Sequence, residues 1–343
     1  MADSDPKGLV CRLLNEVPAK TIPIRAGRNS RVFRVDCVSG KTLLAKFYLQ
    51  ATADGRSRLT QEWSALKFMT ENGITNIPRP IAFDQSLQGA IYSFVHGERV
   101  TQSCEQGIRE ILSFLNRLKE ISTHENAVKI SPASEACFSP SQLVENIEIR
   151  LAKLQALPAE DELYQQLHSF LDNNFAIRFA QLTDHAKQIF PGELWTEPLA
   201  QQHRTLSPSD FGFHNTLKTE LGFTFVDFEY FGWDDPVKAT ADFLLHPAMD
   251  LSERQIQIFF HGMTEIFASD KNFIPRFKIY LPLLCLKWCM IILNEFIASH
   301  MDRREFAAGE ISKRDDLRVR QLEKALNFLN KDQRILCALN LAN

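Results

Sequence analysis

A lysine stands in the middle of an apolar strand. In Lys41–Leu49, KTLLAKFYL, Lys46 has apolar residues on both sides within a run that reads as β-structure. An ammonium group there is costly to bury without a partner, so the fold has to bring a carboxylate onto that strand. The next segment offers one. Arg58–Thr70, RLTQEWSALKFMT, reads as a helix with Trp63, Leu66 and Met69 on one face, Gly73 as its stop signal and Glu62 in its first half. A pair between Lys46 and Glu62 is therefore expected. The plainer alternatives are a lysine snorkelling from an edge strand and a solvated helix glutamate.

The neighbouring sequence supplies a small sheet. Gly8–Asn15 reads as a short amphipathic helix, and Thr21–Arg25 leads into the turn Ala26–Ser30. In Arg31–Val38, Phe33, Val35 and Cys37 alternate with Arg34 and Asp36, the period of a half-buried strand. Ser39-Gly40 then turns the chain into the lysine strand, making a hairpin. Pro80–Phe83 and Gly89–Val95 read as two further strands, and His96-Gly97-Glu98 marks a change to helical sequence. This divides the chain into a β-rich lobe, residues 1–95, and a mainly helical lobe, residues 96–343. Gly27, Asn29 and Ser30 place backbone N–H groups and a hydroxyl where phosphates could be met, although a tight hairpin would use the same residues. No GxxxxGK[ST] is present, which argues against a P-loop NTPase.

The second constraining stretch is Leu206–Pro236, LSPSDFGFHNTLKTELGFTFVDFEYFGWDDP. Asp210 lies in a loop, Asn215 follows five residues on, and an apolar hairpin, Thr216–Leu217 and Gly222–Val226, delivers Asp227. That layout suits phosphoryl transfer: the first Asp can accept the proton of an attacking hydroxyl. Asn215 and Asp227 can offer hard oxygens to magnesium on the phosphates of ATP. Singly, each would read as an ordinary turn or strand-end residue.

At 343 residues the chain has room for two cores, since single cores rarely grow past roughly 250–300 residues. A net charge of −3 argues against a general nucleic-acid or membrane-surface role. The start, MADSDPKG, is polar and acidic, and the seven cysteines are scattered without a CxxC pair, so reduced thiols in a cytoplasmic protein are expected. The apolar run Tyr280–Leu293, interrupted by Lys287, reads as too short for a bilayer. Helices are expected over Cys104–Ile121, Ser139–Leu157, Glu160–Ile189 (one bent or two), Lys238–Leu245, Arg254–Ala268, Ile279–His300 and Leu317–Asn330. The charged run Asp302–Arg320 reads as solvated, His214 as structural, and Cys285 with Cys289 as core thiols.

With both halves in view, the chain resembles the aminoglycoside phosphotransferase/choline kinase-like family of small-molecule kinases. GRNSRVFRV is similar to its phosphate-loop hairpin, LLAKF to its lysine strand, SDFGFHNTL to its catalytic loop and FVDFEYFGWDDP to its metal motif. The likeness runs from about Thr21 to about Leu245. It implies an α+β, protein-kinase-like bilobal fold, with a small antiparallel sheet in the N-lobe and a larger helical C-lobe. It further implies ATP and Mg2+ as cofactors and a small-molecule hydroxyl as acceptor, with neither nucleic acid nor membrane as partner. By the same likeness, Asp210 is the catalytic base, Asn215 and Asp227 are magnesium ligands, and Lys46 and Glu62 form the ion pair. Glu229 would support the metal site, and backbone groups around Ser93–Val95 would bond the adenine.

One departure is plain: the family's His two residues before the catalytic Asp is here Pro208. This motivates the alternative of a pseudokinase-like nucleotide-binding or scaffold protein. A protein kinase fits less well, since no Ala-Pro-Glu segment follows the metal motif. The acceptor is left open among sugars, amino alcohols and aminoglycosides. Asp234 and Asp235 would attract a cationic group, or else cap a helix. Lys287, within Leu281–Phe296, would suit an anionic one if that helix faces a cleft.

Overall fold

The computed structural model describes residues 5–24, 30–49, 55–298 and 314–342. Gly27 and Asn29 lie outside them, as does the charged run up to residue 313. Five strands form an antiparallel sheet in the order β1-β2-β3-β5-β4: β1 Pro18–Ile24, β2 Ser30–Cys37, β3 Thr42–Tyr48, β4 Pro80–Asp84 and β5 Gly89–Ser93. The period of two along β3 sorts its side chains. Leu43, Ala45 and Phe47 join Val35, Cys37 and Ile91 under α1 (Pro6–Leu14), whose Leu9 and Val10 close that cluster. Lys46 and Tyr48 face the other way, towards α2 (Arg58–Glu71). Helix α2 is N-capped by Ser57, which accepts from the Thr60 N–H, and Gly73 leaves it at φ +80°.

Two corrections concern this sheet. β1 is a full strand paired with β2 from Pro18 to Ile24, whereas its sequence reads only as a lead-in; all of its residues stay partly or fully exposed, so no clean alternation marks it. β5 ends at Ser93, leaving Val95 beyond it.

The helical part begins with α3 (Glu105–Ile121) and α4 (Pro140–Gln155), the latter capped by Ser139 with proline in its first turn. Glu162–Phe170 (α5) passes through a wide π turn at Leu171–Phe175 into α6 (Ala176–Ile189). Two small antiparallel pairings then hold the loop of interest. β7 (Thr205–Ser207) pairs with β10 (Gly232–Asp234), closing the base of the loop. β8 (Thr216–Thr219) and β9 (Gly222–Phe225) make the expected hairpin, edged by β6 (Glu98–Arg99). Then come α7 (Pro236–Leu245), α8 (Glu253–Ile266), α9 (Phe273–Ile292), α10 (Arg314–Phe328) and α11 (Lys331–Ala338).

α9 starts earlier than its sequence predicts and ends in a 3-10 turn, Leu293–Phe296. The 24 residues Phe273–Phe296, at mean hydropathy 1.5, are long and apolar enough to cross a membrane, contrary to the sequence expectation. In the fold 78% of that window is buried, against α4, α7 and α10 among others, so here the helix serves as core. One hydrophobic cluster runs from Leu59, Leu66 and Met69 of α2 through Phe114, Phe211 and Phe225 to Leu281 and Leu284 of α9. The sheet and helical parts are therefore packed through α2.

Candidate active site

Lys46 has the partner that its position demands. Its Nζ lies 2.7 Å from Glu62 Oε2, 2.6 Å from Asp227 Oδ1 and 3.6 Å from Glu229 Oε2. Burial alone would drive the amine towards neutrality. The carboxylates of Asp227, Glu62 and Glu229 outweigh that and hold it well above the ordinary lysine range. Glu62 is fixed at both oxygens: the Tyr48 hydroxyl donates to Oε2 at 2.7 Å, and the Phe228 N–H donates to Oε1 at 3.2 Å. Arg58, one turn earlier on α2, holds Glu229 Oε1 at 2.7 Å. Burial, and next the Asp227 charge, push Glu229 up to about 7 against the pull of Lys46 and Arg58. This cluster ties β3 and α2 to the segment that follows β9.

The loop after β7 presents Asp210. The Ser209 N–H donates to Ser207 Oγ at 3.0 Å, and Ser209 takes a left-handed conformation at φ +68°. Asn215 donates through Nδ2 to the Asp210 backbone carbonyl at 3.0 Å, while its own backbone carbonyl accepts from the Val226 N–H at 3.0 Å. The second bond sets Asn215 beside the residue preceding Asp227, which is itself left-handed at φ +68°. Such conformations are uncommon outside glycine, and their strain is carried by the surrounding structure. The donor chemistry fits magnesium. Asn215 turns its side-chain nitrogen to Asp210, leaving its side-chain oxygen Oδ1 directed elsewhere, and Asp227 is 25% exposed with one oxygen on Lys46.

Sequence reasoning missed a feature of Asp210. His214 Nε2 and His246 Nε2 lie 3.1 and 3.2 Å from its Oδ1, and the two rings stack at 4.0 Å and 3°. Burial works against the Asp210 carboxylate, but these two imidazoles outweigh it and hold the group well below the usual carboxylate range. Burial likewise lowers His246, against the pull of Asp210. The Asp210 and His214 separation, i to i+4 in the loop, was visible in the sequence; His246, at the end of α7, carried no local signal.

Other expected residues fall differently. Ser30 is buried at the start of β2, opposite Tyr48, so its hydroxyl is not presented openly. Ser93 is half-buried at the end of β5, its N–H on the Arg79 carbonyl; Val95 is half-buried beyond it. Asp234 and Asp235, expected to attract an acceptor, are fully buried. Asp234 pairs with Lys238 at 2.7 Å, and Lys238 also holds Asp242 at 2.8 Å. Asp235 caps α7 through the Val237 N–H and is gripped by Arg276 at 2.9 and 3.0 Å. Lys287 is buried too, 3.3 Å from Glu135 Oε2. These three residues belong to internal ion pairs because an uncompensated charge at such depth would be far more costly.

A five-stranded antiparallel sheet carrying a buried lysine, a helix glutamate behind it, and a mainly helical remainder with an Asp-bearing loop make this a protein-kinase-like α+β fold. Within that class, a model of the phosphotransferase enzyme family matches residues 20–266, and the chain belongs to that family. No curated protein matches the sequence significantly. Similar solved structures include an ethanolamine kinase from Plasmodium vivax (14% identity, TM-score 0.58, covering 91% of this chain and 84% of that one). A choline kinase from Cryptosporidium parvum Iowa II gives 14% identity and TM-score 0.55, covering 96% and 97% of the two chains. An aminoglycoside phosphotransferase solved with streptomycin and ATP gives 13% identity and TM-score 0.55, covering 95% and 97%.

Proposed function

We propose that this protein transfers the γ-phosphate of ATP to a hydroxyl of a small molecule. The observation that carries the reading is the convergence on Lys46 of Glu62 from α2 and Asp227 from the far side of the hairpin, with Asn215 and Asp210 in the adjoining loop. Lys46, oriented by Glu62, would bond phosphate oxygens. Asn215 and Asp227 would hold magnesium, which when bound neutralises charge on the phosphates. Asp210 would take the proton of the acceptor hydroxyl as that oxygen bonds to the γ-phosphorus and the bond to ADP breaks. Backbone groups around Ser93–Val95 would meet the adenine, with the sheet and the helical part acting as two lobes around the nucleotide. The family membership and the ATP-bound relative agree with nucleotide use.

The test is ATP consumption by purified protein with magnesium, against pooled sugars, amino alcohols and aminoglycosides, with Asp210→Asn in parallel. Turnover with one acceptor class should fall by about 10²–10⁴-fold in the variant, with ATP binding by thermal shift retained. An unaffected variant would remove Asp210 from the chemistry. Magnesium-dependent ATP binding without any turnover would support the scaffold reading instead, and no ATP binding would sink the roles given to Lys46, Asn215 and Asp227.

A further inference from the structure

Given the reading of Asp210 as the base, we propose that His214 and His246 act together as its positioning residues. His214 donates to Oδ1 and His246 Nε2 stands 3.2 Å from the same oxygen, so that Oδ2 is the oxygen presented to the acceptor hydroxyl.

The hydrogen bonds fix the tautomers. The Ala248 N–H donates to His246 Nδ1 at 3.1 Å, so the ring hydrogen of His246 is on Nε2, facing Asp210. His214 Nδ1 is buried with no partner among the described residues; a proton there would be stranded, which puts its hydrogen on Nε2 as well. The same facts exclude a metal at this Asp-His-His cluster, although its ligand atoms lie within 4.8 Å of one another. A metal would need the Nε2 lone pair that His246 does not have free. The His214 hydrogen bond and the His246 Nε2 contact on one oxygen instead restrain rotation of the carboxylate. Among the described residues no hydrogen bond engages Oδ2, and the side chain stays 37% exposed.

His246 is itself backed by Trp288, which a chain of contacts joins to Asp234. The edge of Trp288 meets its ring at 4.9 Å, and Trp288 Nε1 donates to Asp242 Oδ1 at 2.9 Å. Asp242 bonds Lys238, which bonds Asp234. The loop that carries Pro208 in place of histidine is thus braced from α7 and α9, after the catalytic Asp in the chain and not before it.

The test has two arms on the full chain. Two-dimensional 15N–1H spectra of histidine-labelled protein read the tautomers directly: both rings should carry hydrogen on Nε2, and a hydrogen on Nδ1 alone in either ring overturns the inference. In steady-state assays with the acceptor found above, or with water as acceptor, His246→Ala should lower kcat by about 10- to 100-fold. KM for ATP should be unchanged. His246→Gln, which keeps an N–H donor, should recover most of the loss. A His246→Ala enzyme as fast as wild type, or a folded His246→Gln enzyme no faster than a folded His246→Ala one, overturns it. If His246→Ala does not fold, His246→Gln alone decides: near-wild-type kcat supports the inference and an alanine-sized loss refutes it. A wild-type protein that neither transfers phosphate nor hydrolyses ATP fails the proposed function, and the inference with it. A turning-over wild type with indifferent His246 variants fails the inference alone.

Discussion

Replacing Arg276 with methionine separates the two roles that Asp235 could have. Asp235 is fully buried. Its Oδ2 takes Arg276 Nε at 2.9 Å, and its Oδ1 takes Nη2 at 3.0 Å together with the Val237 N–H at 2.7 Å. The same guanidinium holds Asp270 Oδ2 at 2.9 Å. Burial already raises Asp235 above the usual carboxylate range, and Arg276 is what opposes it. Arg276→Met would leave two carboxylates without their cation, a change that costs about 3–5 kcal/mol at a buried pair. At about 2.1 cal/mol/K per residue, 343 residues unfold with roughly 0.7 kcal/mol/K, so Tm should fall by about 4–7 °C. Urea unfolding followed by tryptophan fluorescence gives the free energy directly. Adding Asp235→Asn removes the stranded charge while keeping an oxygen for the Val237 N–H, so the double variant should recover about half or more of the loss. A single variant within about 1 kcal/mol of wild type, or a double variant no more stable than the single one, would refute the buried-pair argument. A stability-neutral change that altered acceptor affinity would return Asp235 to the acceptor site.

Two other perturbations follow from the geometry. A Cβ on Gly232 would lie 2.4 Å from Ala133 N and Ser131 O, backbone atoms that bracket β10 through the Trp233 N–H and carbonyl; Gly232→Ala should therefore cost about 2 kcal/mol or more, measured by urea unfolding, and a neutral result would mean that this segment yields freely. Burial pushes Lys331 down to about 8, below the ordinary value of about 10.4 for an unfolded lysine. Its charged form thus weakens the fold at neutral pH, and that cost fades as pH rises from about 8 to about 10. Relative to Lys331→Met, wild-type stability should rise over that range by at most about 3 kcal/mol, less for the part of the side chain left in water. Parallel pH dependences would refute it.

The legible part of the site was the part whose chemistry dictates residue types. Lys46 could be read because a strand with apolar neighbours makes a charge conspicuous, and Glu62 because the next helix offered it. Asp210, Asn215 and Asp227 stood out by spacing around a hairpin that the fold does form. The helix-cap alternative holds for Asp235, while the acceptor reading of Asp234 and Asp235 meets full burial, for a physical reason: a sequence displays charge but not depth. A partial signal was available, since Lys238 and Asp242 follow Asp234 at successive helical steps of four and pair on one face of α7. Nothing local could tie Asp235 to Arg276, Lys287 to Glu135, or His246 to Asp210, because each partner arrives from a different element.

On the proposed reading, the location of those buried pairs narrows what an acceptor can meet. Asp234 and Asp235 are spent within α7 and on α9, and Lys287 is spent on Glu135, so the conflict between a cationic and an anionic acceptor that these residues raised in the sequence falls away. Their charge acts at one remove. It fixes α7 against α9, which places Trp288 against His246 and His246 against Asp210. Paired charges can serve such a role because their directional bonds admit fewer packings than apolar contacts do. On the proposed reading, recognition of the acceptor then falls to groups that reach the exposed side of Asp210, and its selectivity should follow substitutions there more closely than changes to the buried acids.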